Sequence, residues 1–257
     1  MIRLRRTTHA PPLRARAGDR PLYAFGDVHG RYDLLHVLLA EIARDAAERD
    51  AAAKPLLVFC GDYVDRGPDS AKVLAALAWL KRSPVLEVRL LEGNHESILR
   101  TFLTEPEECA QWLSFGGRET LRSYGVDAPD AITPGETLPR LRDALLDAMP
   151  VSHHRLLDTL ELSTRVGDYL FVHAGVRPGV PMHRQKREDL LWIREPFLDH
   201  PSPAAQPIVH GHTWVDDQPT ILPHRLGIDT GAYATGVLTA LRIADDAVET
   251  IQAVAEG

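Results

Sequence analysis

Several features that would assign a protein class at once are scarce or missing in this sequence. Only two cysteines occur, Cys60 and Cys109, which excludes a disulfide framework and fits a reducing, cytoplasmic compartment. No apolar run reaches the roughly 18 residues that a membrane-spanning helix needs, so no membrane partner is expected. Residues 1–20 are basic but lack the apolar core of a secretory signal, and we expect a flexible leader there.

A surplus of positive charge is also missing, because the formal net charge is −7 at pH 7. This balance argues against a nucleic-acid partner, since binding a phosphate backbone needs a concentrated basic surface. It does not exclude a small anionic substrate, whose binding depends on the local charge of its site. The hydrophobic fraction of 44% supplies the core of one globular domain, which we assign to residues 21–257.

The N-terminal half alternates short apolar β-type runs with helical patterns. The β-type runs cover residues 22–27, 55–62 and 87–91, and the first two helical patterns cover about 32–49 and 69–82. Strands separated by helices predict a mostly parallel sheet. In such a sheet, ligands bind beyond the carboxyl ends of the strands.

Between about residues 104 and 160 the pattern becomes helical, with interruptions at Gly116–Gly117 and in the proline-containing stretch 129–139. We interpret this segment as a helical insert or cap within the single domain. Strand patterns return at residues 169–172, 207–209 and 238–243.

Five short motifs place an Asp, Asn or His directly after a β-type run. They are Gly26-Asp27-Val28-His29-Gly30, Gly61-Asp62-Tyr63-Val64-Asp65-Arg66-Gly67, Gly93-Asn94-His95-Glu96, His173-Ala174-Gly175 and Gly211-His212. One such motif has little specificity, because Asp often caps a turn. All five together supply oxygen and nitrogen ligands without thiolate, which suits Mn, Fe or Zn.

In this order, the motifs resemble the signature of the PPP family of metallophosphatases, within the calcineurin-like phosphoesterases. The resemblance implies an α/β fold, a sandwich of two mixed β-sheets flanked by helices, with the site at one edge. It implies two divalent metal ions, Mn being favoured over Fe or Zn. The implied ligands of the first metal are Asp27, His29 and Asp62, and those of the second are Asp62, Asn94, His173 and His212.

The resemblance also implies His95 as the proton donor, Asp65 as its orienting partner, and Arg66 and Asn94 as phosphate ligands. Two divalent ions about 3.5–4 Å apart lower the pKa of a shared water, so a bridging hydroxide would attack phosphorus directly. A carboxylate beside His95 would favour the charged imidazole that protonates the leaving group. The alternative for Asp65 and Arg66 is a structural ion pair.

Arg194 is the second candidate phosphate-binding arginine. It lies between the two late histidines, in the stretch 190–195, which resembles the tryptophan–arginine stretch of bacterial and phage members. A guanidinium there would match two phosphoryl oxygens. The alternative is a surface salt bridge with Glu195. Trp192 is expected to anchor the core, and His210 is a candidate hydrogen-bond partner of the metal ligands.

The sequence departs from the family pattern at Glu92, where the family usually has arginine. No ligand is lost by this change. The sequence His-Ala-Gly at His173, in place of His-Gly-Gly, indicates a bacterial-type member, for which we infer no obligate regulatory subunit.

Three functions stay open. A serine/threonine protein phosphatase is favoured, with a phosphoprotein or phosphopeptide as substrate and dual specificity as a variant. A diadenosine tetraphosphate hydrolase, acting on a dinucleoside polyphosphate, resembles this chain over the same motifs. Symmetrical enzymes of that kind tend to lack the carboxylate at Asp65 and to have Asp at the position of Glu96. A non-catalytic binding module should have lost a ligand, and none is missing.

Overall fold

The computed structural model of the chain describes residues 1–10, 15–18, 20–49, 54–201, 204, 206–244 and 247–256. The strands in these residues are β1 (Ile2–His9), β2 (Leu22–Phe25), β3 (Leu56–Phe59), β4 (Glu87–Leu90), β5 (Ser163–Val166), β6 (Tyr169–Val172), β7 (Ile208–His210), β8 (Thr220–Ile221), β9 (Arg225–Gly227), β10 (Val237–Ile243) and β11 (Val248–Ala255). The α helices are α1 (Tyr32–Arg49), α2 (Ser70–Leu80), α3 (Asn94–Thr104), α4 (Gly117–Ser123), α5 (Thr137–Ala148), α6 (Val151–Asp158), α7 (Arg187–Trp192), α8 (Glu195–Leu198) and α9 (Ala232–Thr235). Two 3₁₀ helices cover Pro106–Phe115 and Met182–Arg184.

These strands form two sheets, with the orders β1-β11-β10-β2-β3-β4 and β5-β6-β7-β9-β8. The neighbours β2, β3 and β4 run parallel, as do β6, β7 and β9, whereas the remaining neighbours are antiparallel. Both sheets are therefore mixed. The predicted fold class, two mixed sheets flanked by helices, is confirmed.

The central strands are buried on both faces, which explains their continuous apolar sequences. In β2, Leu22 and Ala24 point into the core between the two sheets, whereas Tyr23 and Phe25 point toward the helices on the outer face. Phe25 stacks on Phe59 of β3, with ring centroids 4.1 Å apart. Apolar residues on the other face of the second sheet pack against α7 and α8. This packing brings the carboxyl ends of parallel strands from both sheets to one edge.

The prediction of a flexible leader is wrong for residues 2–9. These residues form β1, which pairs with β11 in an antiparallel register from Ile2 opposite Ala255 to His9 opposite Val248. An edge strand is held mainly by backbone hydrogen bonds, so it needs no apolar run that sequence patterns would reveal. Ala15 and Ala17 are also buried, in the core between the sheets. Residues 11–14 and 19 lie outside the described residues.

The segment from Pro106 to Asp158 contains one 3₁₀ helix and the helices α4, α5 and α6. It packs against α2 and α3, and its apolar side chains join the core on the outer face of the first sheet. This places the helical segment beside the strand ends that carry the third motif. No helix in the described part of the chain has the length and apolar character required to cross a membrane.

Candidate active site

The five sequence motifs meet at the edge of the sandwich where the parallel strands end. Asp27 and His29 follow β2, Asp62 follows β3, and Asn94 opens α3 just after β4. His173 and His212 follow β6 and β7 of the second sheet. The site is therefore built from both sheets, and the side chains that sequence reasoning singled out are close together.

An unusual backbone conformation is concentrated at this site. Among the described residues, five non-glycine residues have a left-handed backbone, and all five belong to the motifs: His29, Asp62, Asp65, Arg66 and His212. This conformation costs an L-residue about 1–2 kcal/mol because its Cβ crowds the neighbouring carbonyl oxygen. Strain of this kind persists where the surrounding structure imposes it, and it is commonly found at functional sites.

Two groups of side chains could each hold a metal ion. One consists of His29, Asp62 and His95, and the other of Asp62, His173 and His212; the candidate ligand atoms of each group lie within 4.8 Å of one another. Asp62 is common to both groups. The Asn94 Oδ1 atom completes the second group, 2.9 Å from His173 Nε2 and 3.0 Å from His212 Nδ1.

Hydrogen bonds to backbone carbonyl oxygens orient two of these histidines. His29 Nδ1 lies 2.8 Å from the oxygen of Val64, and His173 Nδ1 lies 2.8 Å from the oxygen of Cys60. In each ring Nδ1 is the donor, so Nε2 keeps a lone pair, and it lies 3.5 Å from an Asp62 oxygen. Such a bond fixes the tautomer and ring orientation that a metal-binding imidazole needs.

The protonation state of the imidazoles also suits metal binding. Burial lowers the pKa of His29 and of His212 to about 3, and it lowers the pKa of His173 below its ordinary value. These rings are therefore neutral at physiological pH, which is the form that binds a metal ion. Burial alone would raise the pKa of Asp62, but the surrounding histidines, His173 first, hold it below the ordinary value.

Asp27 lies at the same edge but in neither group of mutually close ligand atoms. Its Oδ2 accepts the backbone N–H of His212 at 2.9 Å, and its Oδ1 is buried without a hydrogen-bond partner. Burial raises the pKa of Asp27 well above its ordinary value, and the carboxylates of Asp229 and Asp62 raise it further. A divalent cation would relieve this crowding of carboxylates and give Oδ1 a partner, so the residues present fit two such ions.

Sequence reasoning missed Asp229. This residue is buried next to Asp27, it accepts the backbone N–H of Gly231 at 2.9 Å, and burial raises its pKa to about 7. It follows β9 and precedes Thr230-Gly231. That is the same arrangement of strand, Asp and nearby glycine as in the first two motifs, so the signal was present.

Glu96 was also missed as a structural element of the site. Its carboxylate accepts backbone N–H groups from the loop after β3: Asp62 at 2.8 Å, Tyr63 at 2.7 Å and Val64 at 3.2 Å. The N–H of Gly93 donates to it as well, at 3.0 Å. A fully buried carboxylate with four donors fixes the backbone from which Asp62 projects.

His95 and Asp65 form a buried pair. His95 Nδ1 donates to Asp65 Oδ2 over 2.6 Å, which turns Nε2 toward Asp62, 3.9 Å from its Oδ2. Burial alone would lower the pKa of His95, but the carboxylates of Asp62 and Asp65 raise it above its ordinary value. The ring can therefore present a proton on Nε2 to a group bound between His95 and Asp62.

The two predicted arginines line one cavity of about 540 Å³ together with Asp62, Asn94 and His95. Arg66 Nη1 lies 3.2 Å from His29 Nε2, and Arg194 Nε lies 3.4 Å from His212 Nε2. Among the described residues, neither arginine forms an ion pair with a carboxylate, so both guanidinium groups are available to an anion. The predicted alternative of a salt bridge between Arg194 and Glu195 is thus not seen.

Aromatic side chains form much of the remaining cavity wall. They are Trp112, Phe115, Trp192, Trp214 and Tyr233. Tyr233 packs directly on Arg66, whose Cζ lies 4.6 Å from the ring centroid. The expectation that Trp192 anchors the core is wrong, because Trp192 is 45% exposed. Its neighbours Leu190 and Leu191 are buried and anchor this segment instead.

Two further residues that the sequence singled out lie outside the metal groups. Glu92 is buried and pairs with Arg187, and more distantly with Arg100 at 3.4 Å, so it ties α7 to α3. His210 packs edge-on against Phe197, with ring centroids 5.0 Å apart, and its Nδ1 lies 3.0 Å from the oxygen of Gly211. Among the described residues, neither side chain forms a hydrogen bond or an ion pair with a candidate metal ligand.

Comparison with known proteins identifies the class to which this site belongs. The family model described as calcineurin-like phosphoesterase matches residues 20–234, so the chain belongs to this family and is a metal-dependent phosphoesterase. Members of the family use two divalent metal ions. This membership agrees with the two ligand groups that share Asp62.

Two relatives and one solved structure show how far the similarity extends. The chain is 30% identical over 233 residues to serine/threonine-protein phosphatase 1 of Salmonella typhimurium, covering 87% of this chain and 92% of that protein. It is 26% identical over 239 residues to the asymmetrical bis(5'-nucleosyl)-tetraphosphatase PrpE of Halalkalibacterium halodurans, covering 84% and 87%. A crystal structure of a cold-active protein tyrosine phosphatase matches 92% of this chain and 80% of its own chain, with a TM-score of 0.55 and 18% identity.

Proposed function

We propose that the chain is a serine/threonine-type protein phosphatase that hydrolyses phosphate monoesters on protein side chains. The observation that carries this proposal is the buried pair His95–Asp65, joined over 2.6 Å, with His95 Nε2 directed at the shared carboxylate Asp62. The alkoxide of serine or threonine is a poor leaving group and needs a proton as the ester bond breaks. A histidine placed beside the metal groups meets that need.

In this proposal, Asp27, His29 and Asp62 hold one metal ion, and Asp62, Asn94, His173 and His212 hold the other. When bound, the two ions supply an activated water and neutralise charge on the phosphoryl oxygens. The donor set contains oxygen and nitrogen atoms and no thiolate, which suits Mn, Fe or Zn, and of these we propose Mn²⁺. The two free cysteines, Cys60 and Cys109, suit the reducing cytoplasm as the place of action.

Arg66 and Arg194 are proposed to bind the phosphoryl oxygens, together with the amide of Asn94. The two guanidinium groups line the same cavity as His95, and each is within hydrogen-bonding distance of a candidate ligand histidine. They would offer several N–H donors to a tetrahedral anion at the point where the ligand groups meet. A chain with a net charge of −7 would thus present a local site for anions.

The experiment that tests this proposal compares two substrates on the same Mn²⁺-loaded protein. We expect a larger kcat/KM on a phosphoserine or phosphothreonine peptide than on diadenosine tetraphosphate. The Asp65→Asn variant tests whether this activity depends on the His95–Asp65 pair. It removes the charge that faces His95 and should lower turnover on the peptide. A protein that takes up metal but leaves the peptide intact would contradict the proposal.

Hydrolysis of a dinucleoside polyphosphate is the second candidate function. The observation that favours it is the partly exposed aromatic wall of Trp192, Trp214 and Tyr233, which could stack on a nucleobase. A Trp192→Ala variant separates the two candidates. It should raise KM for diadenosine tetraphosphate if a base stacks there, and it should change hydrolysis of a short phosphoserine peptide less.

A further inference from the structure

We propose that Trp112 and Thr120, in the helical segment 106–158, are positioning residues for His95 that act through Asp65. The inference rests on the proposed function, because it requires His95 to protonate the leaving group. In this proposal, side chains of the helical segment hold the carboxylate of Asp65, and Asp65 in turn orients the proton donor His95.

Both oxygens of Asp65 are bound by side chains of this segment. The indole Nε1 of Trp112 donates to Oδ2 over 2.9 Å, and the hydroxyl of Thr120 donates to Oδ1 over 2.6 Å. Oδ2 also accepts Nδ1 of His95 over 2.6 Å. Two donors on two different oxygens define the plane of the carboxylate, and this plane sets the direction in which His95 is held.

Water cannot replace these donors. Asp65 and Thr120 have no exposed surface, and Trp112 is 1% exposed. Removing one donor from a buried carboxylate leaves an oxygen without a partner or lets the group rotate, whereas a solvated carboxylate would recover the bond from water. The orientation of Asp65 therefore depends on the segment that carries Trp112 and Thr120.

The backbone reinforces the same contact. The amide of Asp65 donates to Thr120 Oγ1 over 2.9 Å and to Ser70 Oγ over 3.0 Å, while Asp65 has a left-handed φ of 72°. Gly116, with φ 111°, packs so closely that a Cβ there would lie 2.3 Å from the nitrogen of Arg66. The helical segment and the loop that carries Asp65 are thus in direct contact with no room for a side chain between them.

A positioning role makes a prediction that a purely structural role does not. A phosphoserine ester needs the proton of His95 because its alkoxide is strongly basic, whereas p-nitrophenyl phosphate releases a stable phenolate that scarcely needs it. Loss of His95 orientation should therefore lower turnover on the first substrate much more than on the second. General loosening of the fold would lower both alike.

The experiment measures kcat and KM of the Mn²⁺-loaded protein on both substrates. We expect Trp112→Phe and Thr120→Val each to lose about tenfold in kcat on a phosphoserine peptide, the worth of one hydrogen bond to a charged group. On p-nitrophenyl phosphate we expect little change, and KM should stay the same for both substrates. His95→Asn should show the same selectivity with a larger loss.

Controls separate orientation from folding. Thr120→Ser keeps the hydroxyl and should keep the activity, and Thr120→Val leaves the Asp65 amide bound to Ser70, so no backbone donor is orphaned. Trp79→Phe removes the indole of a tryptophan that is 66% exposed and should change nothing. The thermal midpoint and metal content of each variant are measured alongside, and Thr120→Val serves if Trp112→Phe fails to fold.

Two results would overturn the inference in distinguishable ways. If His95→Asn is selective for the peptide but Trp112→Phe and Thr120→Val lower both activities equally or not at all, the positioning role is wrong and the proposed function stands. If His95→Asn lowers both activities equally, His95 is not the proton donor, and the positioning role is overturned together with that part of the proposed function.

Discussion

Asp27 Oδ2 accepts the backbone N–H of His212 over 2.9 Å, although the two residues are 185 positions apart in the sequence. Asp27 follows β2 of the first sheet and His212 follows β7 of the second, so this bond joins the two sheets across the candidate metal centre. Oδ2 is thus used in a hydrogen bond within the protein, whereas Oδ1 is buried without a hydrogen-bond partner and is free to bind a metal ion.

Two variants of Asp27 should separate its structural and metal-binding roles. Asp27→Asn keeps an oxygen that accepts the His212 N–H but removes the charge, whereas Asp27→Ala removes both. We expect both variants to lose metal affinity, measured by metal content after dialysis.

Stability is measured by urea denaturation of the metal-free protein. The free energy of unfolding of Asp27→Asn should match or exceed that of the parent, because burial and Asp229 disfavour the charged carboxylate. Metal-free Asp27→Ala should be less stable by about 1–3 kcal/mol. Full metal content in Asp27→Asn would remove Asp27 from the ligand set.

Asp62 is common to both ligand groups. Its substitution should therefore reduce the number of bound metal ions more than substitution of a residue that belongs to only one group. We expect chelation to abolish phosphatase activity and Mn²⁺ to restore it. Elemental analysis should find two ions in the parent, about one in His212→Ala and none in Asp62→Asn. His154→Ala, outside the site, is the control for histidine removal. Equal metal loss in Asp62→Asn and His212→Ala would argue against a shared ligand.

Glu96 should matter for stability and for metal binding without touching the substrate. A Glu96→Gln substitution replaces one acceptor oxygen by an NH₂ group that faces N–H donors, so about two of the four bonds are lost. We expect the free energy of unfolding to fall by about 2–4 kcal/mol, because buried backbone donors lose their acceptor. The exposed Glu107→Gln should shift stability by less than about 0.5 kcal/mol. If Glu96→Gln has the stability and metal content of the parent, the loop after β3 keeps its conformation without the Glu96 carboxylate.

Arg66 and Arg194 should contribute to phosphate binding independently of the metal ions. We expect Arg66→Ala and Arg194→Ala each to weaken inhibition by inorganic phosphate about ten- to a hundredfold, since each removes charged hydrogen bonds of about 1.5–3 kcal/mol. Metal content should stay intact. Arg118→Ala is a suitable control, because Arg118 donates to the carbonyl oxygens of Ala128 and Pro129 instead. Loss of metal in Arg66→Ala would indicate a structural role for that arginine.

The ion pairs that join β1 to α1 should contribute substantially to stability. Arg6 of β1 pairs with Glu41 at 2.6 Å and Asp45 at 3.0 Å on α1, and both carboxylates are buried. Removing the arginine leaves buried charge less well compensated, so we expect Arg6→Ala to lower the free energy of unfolding by about 2–4 kcal/mol. Arg3→Ala, at an exposed position of the same strand, should have little effect. Equal small effects would mean that the ion pairs of Arg6 add little to the stability of the fold.

Sequence reasoning recovered the elements whose cause is local. Helix α1 was predicted over 32–49 and is observed at Tyr32–Arg49, because its apolar periodicity lies within the segment itself. The strands β2, β3 and β4 were found from apolar runs that end in glycine-containing turns. Strand β1 was taken for a leader, since pairing with β11, more than two hundred residues away, leaves no pattern in residues 2–9.

Within the site the same division holds. Asp27, Asp62 and Asn94 were found because each comes just after a strand and directly after a glycine, and that arrangement can be read from a few residues. The hydrogen bond from Trp112 to Asp65 joins residues that are 47 positions apart, and the sequence around Trp112 does not predict it. The exposure of Trp192 likewise depends on the cavity that several distant loops enclose.

The amino-acid sequence by itself therefore determined which side chains are available at the strand ends, and with them the chemical class of the site. Only the tertiary structure decided how these side chains are held: the tautomers of His29 and His173, the buried carboxylate of Glu96 and the donors on Asp65. The physical reason is that a motif is set by local turn geometry, whereas the direction of a buried hydrogen bond is set by packing between segments that the chain brings together from afar.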